Sequence, residues 1–297
     1  MVRTSGLQID VVVEHTCMLG EGPVWDSKRK VICWIDILQK EIHEYSPEQK
    51  THRTIQVHKL IGSIALCTNG NFLAALQNGF GFIDRISGEV RMISDPETHL
   101  PNNRFNDGKC DPEGRFWAGT MPLSEKEPAG SVYVMEKDFS VKKRIEGVTI
   151  SNGVAWSRDH QKFYYIDTPT FEVTAYDYDK TTGHITNKKI IIRIPKEDGH
   201  PDGMTIDNEG MIWIAHWGGW QVTRWNPDTG EKLYRIQLPV AKVTSCTFGG
   251  ENMEDLYITS AKKGLTEDEL EKQPLAGSLF VLRNCGFKGM PAFEFET

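Results

Sequence analysis

One position of a repeating sequence pattern carries polar side chains that together could bind a divalent cation. Counting five residues back from six successive turn signals selects Glu21, Ser63, Asn106, Asn152, Asp202 and Thr244. Carboxylate and amide oxygens that converge on one point suit a cation with oxygen ligands, such as Ca²⁺, Mn²⁺, Mg²⁺ or Fe²⁺. The carboxylates of Glu21 and Asp202 would neutralise its charge, and without it they would repel each other.

Two alternatives to this assignment stay open at the level of spacing. Polar residues before a strand also cap turns through hydrogen bonds from side chain to backbone, and Ser63 and Thr244 fit that role. In the third repeat, alignment on Gly108 selects Asp107 instead of Asn106.

The elements that must position these residues are β-hairpins. The turns begin at Asp26, Thr68, Asp111, Ser157, Asp207 and Gly249, and a short apolar run follows each of them. A third alternating run completes each repeat, at residues 41–45, 80–83, 131–134, 173–178, 221–225 and 278–282. A period of about 40–50 residues, with short strands and no helices between them, is typical of a β-propeller blade.

The repeat predicts an all-β protein, a six-bladed β-propeller of four-stranded blades that forms a single domain over residues 1–297. The first strand of each propeller blade lines the central channel. The six polar positions should therefore form a ring around the axis. Because a hairpin returns the end of its second strand to the start of its first, the loops after the second strands should surround this ring.

Two of these loops are long, at residues 122–130 and 262–277, and the second contains a helix-start signal from Thr266 to Glu269. The loop of blade five contributes Trp217 and Trp220, which could stack on a sugar or pack in the core. We expect His200 to face solvent or support the ring rather than act as a base. We expect Asp26, Asp111 and Asp207 to be turn residues at the opposite end of the hairpins, and residues 266–272 to form a solvated helix or a lid.

Composition narrows the partners and the compartment. The six cysteines show neither a CxxC pair nor zinc-like spacing, so we expect a reducing, cytoplasmic setting without a thiolate metal site. Residues 1–6 lack the apolar core of a signal peptide, and no apolar run approaches a membrane span. The net charge of −7 disfavours nucleic acid and anionic membranes as partners.

Five motifs resemble one known family. They lie at residues 19–25 (LGEGPVW), 103–109 (NRFNDGK), 118–121 (AGTM), 151–157 (SNGVAWS) and 201–203 (PDG). In order and spacing they are similar to the senescence marker protein, gluconolactonase and luciferin-regenerating enzyme family, the regucalcin-like proteins. The similarity extends over nearly the whole chain.

The resemblance implies specific roles for ring residues. It implies one divalent metal ion, with Ca, Zn, Mn, Mg and Fe(II) all open, held by Glu21, Asn152 and Asp202. It assigns Asp202 as the proton donor or acceptor, and Arg104 and Asn106 as residues that hold the substrate. The chain departs from the pattern after Met121, where a substrate-binding Glu is expected. Ser124 occupies that place when no gap is allowed, and Glu125 and Glu127 lie nearby.

The resulting hypothesis is a metal-dependent hydrolase, a gluconolactonase-like lactonase that opens a sugar-acid lactone. The cation would polarise the lactone carbonyl, while Asp202 accepts a proton from the attacking water. Alternatives are a metal-dependent hydrolase of another ester or a phosphotriester, and a non-catalytic metal-binding propeller. We expect a small-molecule sugar lactone as the partner, and a monomer or weak homodimer.

Overall fold

The fold is described from a computed structural model, which covers residues 8–297 and the backbone of residues 3–4. Most of the stretch 1–6, for which we expect no signal peptide, lies outside the described residues. Two short strands come first, β1 (Arg3–Thr4) and β2 (Asp10–Val11). Six antiparallel sheets follow in chain order, and each begins at its inner strand.

The first three blades are each built from four consecutive strands. Blade one contains β3 (Gly20–Asp26), β4 (Val31–Asp36), β5 (Glu41–Ser46) and β6 (Thr51–Gln56). Blade two contains β7 (Ile61–Leu66), β8 (Phe72–Leu76), β9 (Gly79–Ile83) and β10 (Val90–Ser94). Blade three contains β11 (Asn103–Cys110), β12 (Phe116–Pro122), β13 (Gly130–Met135) and β14 (Val141–Val148).

Blades four and five repeat this arrangement, and blade six supplies only three strands of its own. Blade four contains β15 (Ser151–Trp156), β16 (Lys162–Asp167), β17 (Glu172–Asp179) and β18 (His184–Arg193). Blade five contains β19 (His200–Ile206), β20 (Ile212–Trp217), β21 (Gln221–Trp225) and β22 (Lys232–Gln237). Blade six contains β23 (Val243–Gly249), β24 (Asp255–Ser260) and β25 (Phe280–Leu282).

The N-terminal segment completes the ring. Strand β2 pairs antiparallel with β25, with Asp10 opposite Val281, and so provides the fourth strand of blade six. Strand β1 adds in parallel to β22, the outermost strand of blade five. The predicted six-bladed propeller of four-stranded blades is confirmed. The repeat did not predict that the segment before the first blade closes the ring.

The hydrophobic core lies between neighbouring blades. The cluster between blades three and four, for example, contains Trp117, Val132, Trp156 and Phe163. Four similar clusters fill the other junctions, because each blade presents one apolar face to each neighbour. All six cysteines are buried and free.

Helices are few in the described part of the chain. Two 3₁₀ turns occupy Thr168–Thr170 and Lys196–Asp198, and α1 spans Glu267–Lys272. The predicted helix start is confirmed, because Thr266 and Glu269 cap each other's backbone N–H groups in a capping box. No helix of residues 8–297 is long and apolar enough to cross a bilayer.

Candidate metal centre and active-site cavity

A β-bulge interrupts the inner strand of every blade next to the ring position. The pairing with the second strand shifts between Glu21 and Val24 in blade one, between Asn152 and Val154 in blade four, and between Pro201 and Met204 in blade five. The other three inner strands shift at the equivalent place. A bulge re-aims a side chain out of the alternating pattern. All six ring residues are buried.

Four of the six ring residues line one cavity of about 250 Å³, and Arg104 lies beside them. These four are Glu21, Asn106, Asn152 and Asp202. The rest of the wall comes from the start of an inner strand, the ends of second strands and loops: Leu19, Met121, Glu125, Ile150, Thr168, His200, Trp217 and Lys263. The structure therefore brings together every residue that the sequence assigned to metal, substrate or catalysis.

The remaining two ring positions are structural. Thr244 Oγ1 donates to the carbonyl oxygen of Gly20 at 2.6 Å and lies 2.9 Å from Thr259 Oγ1, which ties blade six to blade one. The Ser63 hydroxyl is buried without a hydrogen-bond partner among the described residues. The ring of six is thus a set of four ligand-like residues and two packing residues.

The ambiguity in blade three is settled by the direction of two adjacent side chains. Asn106 lines the cavity just described, whereas Asp107 lines a second cavity farther along the channel, together with Lys109. The ammonium of Lys109 donates to the carbonyl oxygen of Met204 at 2.9 Å. Asn106 is therefore the ring residue of blade three, and Asp107 is a buried charge behind it.

A chain of hydrogen bonds joins the substrate residues to the metal residues. Arg104 Nη1 donates to Asn106 Oδ1 at 2.7 Å, and Asn106 Nδ2 donates to Asn152 Oδ1 at 2.9 Å. Asn152 Nδ2 donates to Thr168 Oγ1 at 2.8 Å, and this hydroxyl donates to the carbonyl oxygen of Pro201 at 2.8 Å. Each amide is fixed at both ends, so the ligand oxygens are held in place before any ligand binds.

Two glycines that follow ring residues are required by the backbone. Gly22 has φ +52°, a left-handed conformation in which its N–H donates to Glu21 Oε2 at 2.9 Å. A Cβ on Gly203 would lie 2.2 Å from Ser245 Oγ, so only glycine lets the inner strands of blades five and six approach this closely. The E-G and D-G pairs in the sequence thus have a steric cause.

Burial and neighbouring negative charges disfavour the ionised form of the carboxylates in the cavity. Burial, and next the charge of Asp107, raise the pKa of Glu21 to about 8, although the Gly22 N–H and Arg104 act in the opposite direction. Burial, with Glu21 and Asp107 next, raises the pKa of Asp202 well above its ordinary value. Burial also lowers the pKa of Arg104, against the charges of Glu125, Glu21 and Asp202. The cavity therefore has more buried negative charge than its own cations balance.

This donor set fits a divalent cation. Glu21 and Asp202 offer carboxylate oxygens, and the amide orientation fixed by Thr168 leaves Asn152 Oδ1 as an oxygen donor beside them. Hard cations prefer such oxygen ligands, and a positive charge would relieve the repulsion that raises both carboxylate pKa values. Oxygen ligands of this kind are compatible with several cations, so the set does not select one.

The long loops contribute one residue each to the cavity wall. Glu125 lies in the loop after β12, and its carboxylate pairs with Lys263 from the loop after β24. Ser124 and Glu127, the other candidates for the expected substrate-binding Glu, hydrogen-bond to each other in an outer groove. Glu125 is therefore the carboxylate that reaches the cavity.

The other predicted residues fall outside the hydrogen-bonded centre. His200 and Trp217 line the cavity at its edge, where the His200 ring lies 4.7 Å from that of Phe171, and Trp220 is not among the lining residues. No residue of α1 lines the cavity either. Asp207 Oδ2, at the opposite end of β19, accepts hydrogen bonds from Trp213 Nε1 at 2.9 Å and Arg224 Nε at 2.7 Å. Its Oδ1 accepts from the backbone N–H groups of Glu209 and Met211 at 3.0 Å, which bears out its assignment as a turn residue, and the Oδ2 contacts add a structural role.

Thr168 is the site residue that the sequence reasoning missed. It stands after β16, one turn beyond the second strand of blade four, and no ring position or motif marks it. The end of a second strand was predicted to face the ring, and that rule applied to blade four would have identified it.

The chain is similar to known proteins of one family. Residues 19–262 match the sequence profile of the SMP-30/Gluconolactonase/LRE-like region. The chain belongs to this family. The matched span includes Glu21, Asn152 and Asp202.

Family members that resemble the chain over its full length include a protein named regucalcin from Xenopus laevis, which is 38% identical over 98% of this chain and 99% of its own. A solved structure of luciferin-regenerating enzyme is 32% identical, with a TM-score of 0.92 over 98% of this chain and all of that one. A solved calcium-binding protein, regucalcin from Agrobacterium tumefaciens, is 28% identical, with a TM-score of 0.94 over the whole of both chains.

Proposed function

We propose that this family member is a metal-dependent hydrolase that opens the ring of a small sugar-acid lactone. The observation that carries the proposal is the continuous hydrogen-bonded chain from Arg104 through Asn106 to Asn152, in one cavity with Glu21 and Asp202. A volume of about 250 Å³ is below the roughly 300–1,000 Å³ of pockets for drug-sized ligands, which favours a monosaccharide-sized substrate. Gluconolactonase in the family description and calcium binding by the Agrobacterium relative agree with this choice.

Glu21, Asn152 and Asp202 would hold the cation. When bound, a divalent cation supplies Lewis-acid polarisation of a carbonyl and stabilises negative charge on its oxygen. The chain's own contribution is to keep three oxygen donors in a buried position with few other cations, so that charge at the carbonyl is compensated in a low-dielectric setting.

Asp202 is the proposed general base. Its carboxylate is buried beside Glu21 and Asp107, and both charges raise its pKa. A buried carboxylate beside the attacking water can accept its proton while the water adds to the carbonyl. The N–H of Gly203, which hydrogen-bonds to this carboxylate, holds it in place.

Arg104 and Asn106 would orient the lactone. Within the described residues, only Nη1 of Arg104 is engaged by protein groups, which leaves Nε and Nη2 for substrate hydroxyls or the carbonyl. Glu125 at the rim would accept hydrogen bonds from sugar hydroxyls, and its pair with Lys263 would hold it over the cavity. Charged donors and acceptors of this kind fix geometry as well as affinity.

The test is acid release from a panel of aldonolactones, with chelator-treated protein and single divalent metals added back. Because lactones also hydrolyse unaided, the Asp202→Ala variant is assayed beside the wild type. We expect turnover that metal restores in the wild type alone. Arg104→Ala should mainly raise KM. Equal rates for wild type and Asp202→Ala with every metal would refute the proposal.

A further inference from the structure

A second group of metal-ligand side chains lies away from the cavity, where the N-terminal segment crosses blade one. His15 and Cys17 belong to the connection from β2 to β3, and His43 lies on β5. One ligand atom from each residue lies within 4.8 Å of the other two. Cys17 and His43 are 1% and 0% exposed, so the group sits in the junction and not on the surface.

Several polar atoms of this group have no hydrogen-bond partner although they are buried. They are His15 Nε2, His43 Nε2 and the Oε2 atom of Glu41, the neighbour of His43 on the same face of β5. Glu41 Oε2 lies 3.6 Å from His43 Nε2. Buried polar groups are nearly always paired, and three unpaired ones in one place indicate a missing ligand.

The far side of the His43 ring is fully engaged. Its Nδ1 lies 3.2 Å from Thr54 Oγ1 and 3.3 Å from His52 Nε2, and its ring stacks on Trp34 at 4.9 Å. With the proton on Nδ1, donated to Thr54, Nε2 would carry the free lone pair, which is how metal-binding histidines are commonly oriented. The unpaired nitrogen faces Glu41, at the edge of the group that His43 forms with His15 and Cys17.

We propose that His15, Cys17 and His43 form a second metal site for a zinc-class cation, with Glu41 as the fourth ligand. Imidazole nitrogen and thiolate sulfur suit zinc, in contrast to the oxygen-only set of the cavity. One thiolate and one carboxylate balance a charge of +2. Ligand bonds of about 2.0–2.3 Å require the donor atoms to draw together by roughly 1 Å, which rotation of the partly exposed His15 side chain allows.

This site would link the N-terminal segment, which completes blade six, to blade one. Its ligands come from the segment that carries β2 into blade six and from the third strand of blade one. A cation bound to both would hold the N-terminal segment against blade one. It shares no residue with the cavity wall, so it does not depend on the proposed lactonase activity.

The test uses Co²⁺ as a spectroscopic probe in place of Zn²⁺, with the full chain and reduced thiols. Thiolate ligation gives Co²⁺ a charge-transfer absorption that an oxygen-only site cannot produce. We expect this band to saturate at one equivalent in Asp202→Ala, and by two equivalents in the wild type, where the cavity also takes up Co²⁺, and to disappear when Zn²⁺ is added. Cys17→Ser should abolish it, and His15→Gln, which removes a ligand, should weaken Co²⁺ binding by at least the roughly 10–100-fold that loss of a ligand-orienting group costs.

Cys67→Ser is the matched control, because Cys67 is also buried and belongs to no such group, and it should retain the band. Zn²⁺ should raise the Tm of Asp202→Ala but not that of the Cys17→Ser, Asp202→Ala double variant. The wild-type titration decides the question even if a variant fails to fold. Absence of the band in the wild type, its persistence in Cys17→Ser, or unchanged affinity in His15→Gln would each overturn the proposal.

Discussion

The side-chain amide of Asn106 donates a hydrogen bond of 2.9 Å to Oδ1 of Asn152. It connects blades three and four across the mouth of the channel, and it links a residue assigned to substrate with one assigned to metal. Groups that act as a hydrogen-bonded unit respond together to substitution, so effects on metal affinity and on substrate binding should be correlated in this cavity.

The hydroxyl of Thr168 should control metal affinity without touching the ion. Thr168→Val removes the acceptor for Asn152 Nδ2 and the donor to the Pro201 carbonyl, so the Asn152 amide keeps only its bond from Asn106 and is held less firmly. We expect metal affinity to fall by about 10–100-fold, the usual effect of losing a group that orients a ligand. Competition with a chelating dye measures it. Thr168→Ser keeps the hydroxyl and should bind as the wild type does; equal affinity in the Val variant would contradict the assigned role.

The metal-free protein should lose stability as the pH rises. The pKa of Glu21 is about 8 in the folded protein against an ordinary value of 4.5, and that of Asp202 is also raised. The folded state therefore holds protons that the unfolded state has released, and the stabilisation is present below about pH 4.5 and lost as the pH passes through about 8. Thermal unfolding in chelator should give a Tm that falls from pH 5 to pH 8.

Two comparisons isolate the cause of this pH dependence. Saturating Ca²⁺ should flatten the decline, because the cation replaces the protons, and Glu21→Gln should reduce it in chelator because one titrating group is gone. A Tm in chelator that is constant or rises over this pH range would show that the carboxylates do not hold protons in the fold.

Substrate selection should depend on Glu125 and not on its neighbour. Glu125 lines the cavity and pairs with Lys263, whereas Glu127 pairs with Ser124 in an outer groove. Glu125→Gln should raise KM for the preferred lactone by about tenfold, near the lower end for loss of one hydrogen bond to a charged group, with little change in kcat. Glu127→Gln is the matched control and should leave both constants unchanged. The reverse ranking would move the substrate contact to the outer groove.

The turn carboxylate of Asp207 should matter for stability alone. It is fully buried, and its Oδ2 accepts from Trp213 and Arg224 at the end of the channel away from the cavity. Asp207→Asn should lower the free energy of unfolding by about 1–3 kcal/mol, the range for a buried polar group that loses its partner. Urea denaturation measures the change, and Asp228→Asn in an exposed turn serves as the control. A fall in kcat without a change in stability would contradict this assignment.

The residues whose position could be predicted from the sequence share one property. Their position follows directly from the repeat. The start of an inner strand faces the channel in every blade, so Glu21, Asn152 and Asp202 could be located by counting. Counting could not separate candidate ligands from packing residues: Thr244 occupies the same position, but its hydroxyl donates to the Gly20 carbonyl. That difference depends on the neighbouring blade.

Contacts between distant segments could not be predicted from the repeat. Strand β2 has two residues and no alternating pattern, and only its pairing with β25 reveals it as part of blade six. Glu125 was one of three candidates until loop geometry separated it from Ser124. His15, Cys17 and His43 come from two elements, and cysteine spacing alone does not detect a site whose other ligands are histidines.

The closure of blade six by β2 also determines when the propeller can finish folding during synthesis. Val11 emerges from the ribosome well before its partner Phe280, because five complete blades lie between them in the chain. At a translation rate of about 5–20 residues per second, strand β2 remains unpaired for on the order of tens of seconds before β25 is available. Until then the nascent chain exposes an unpaired segment and an open ring of blades, which is the state that chaperones bind. A translation product that stops before Phe280 would leave that ring permanently open.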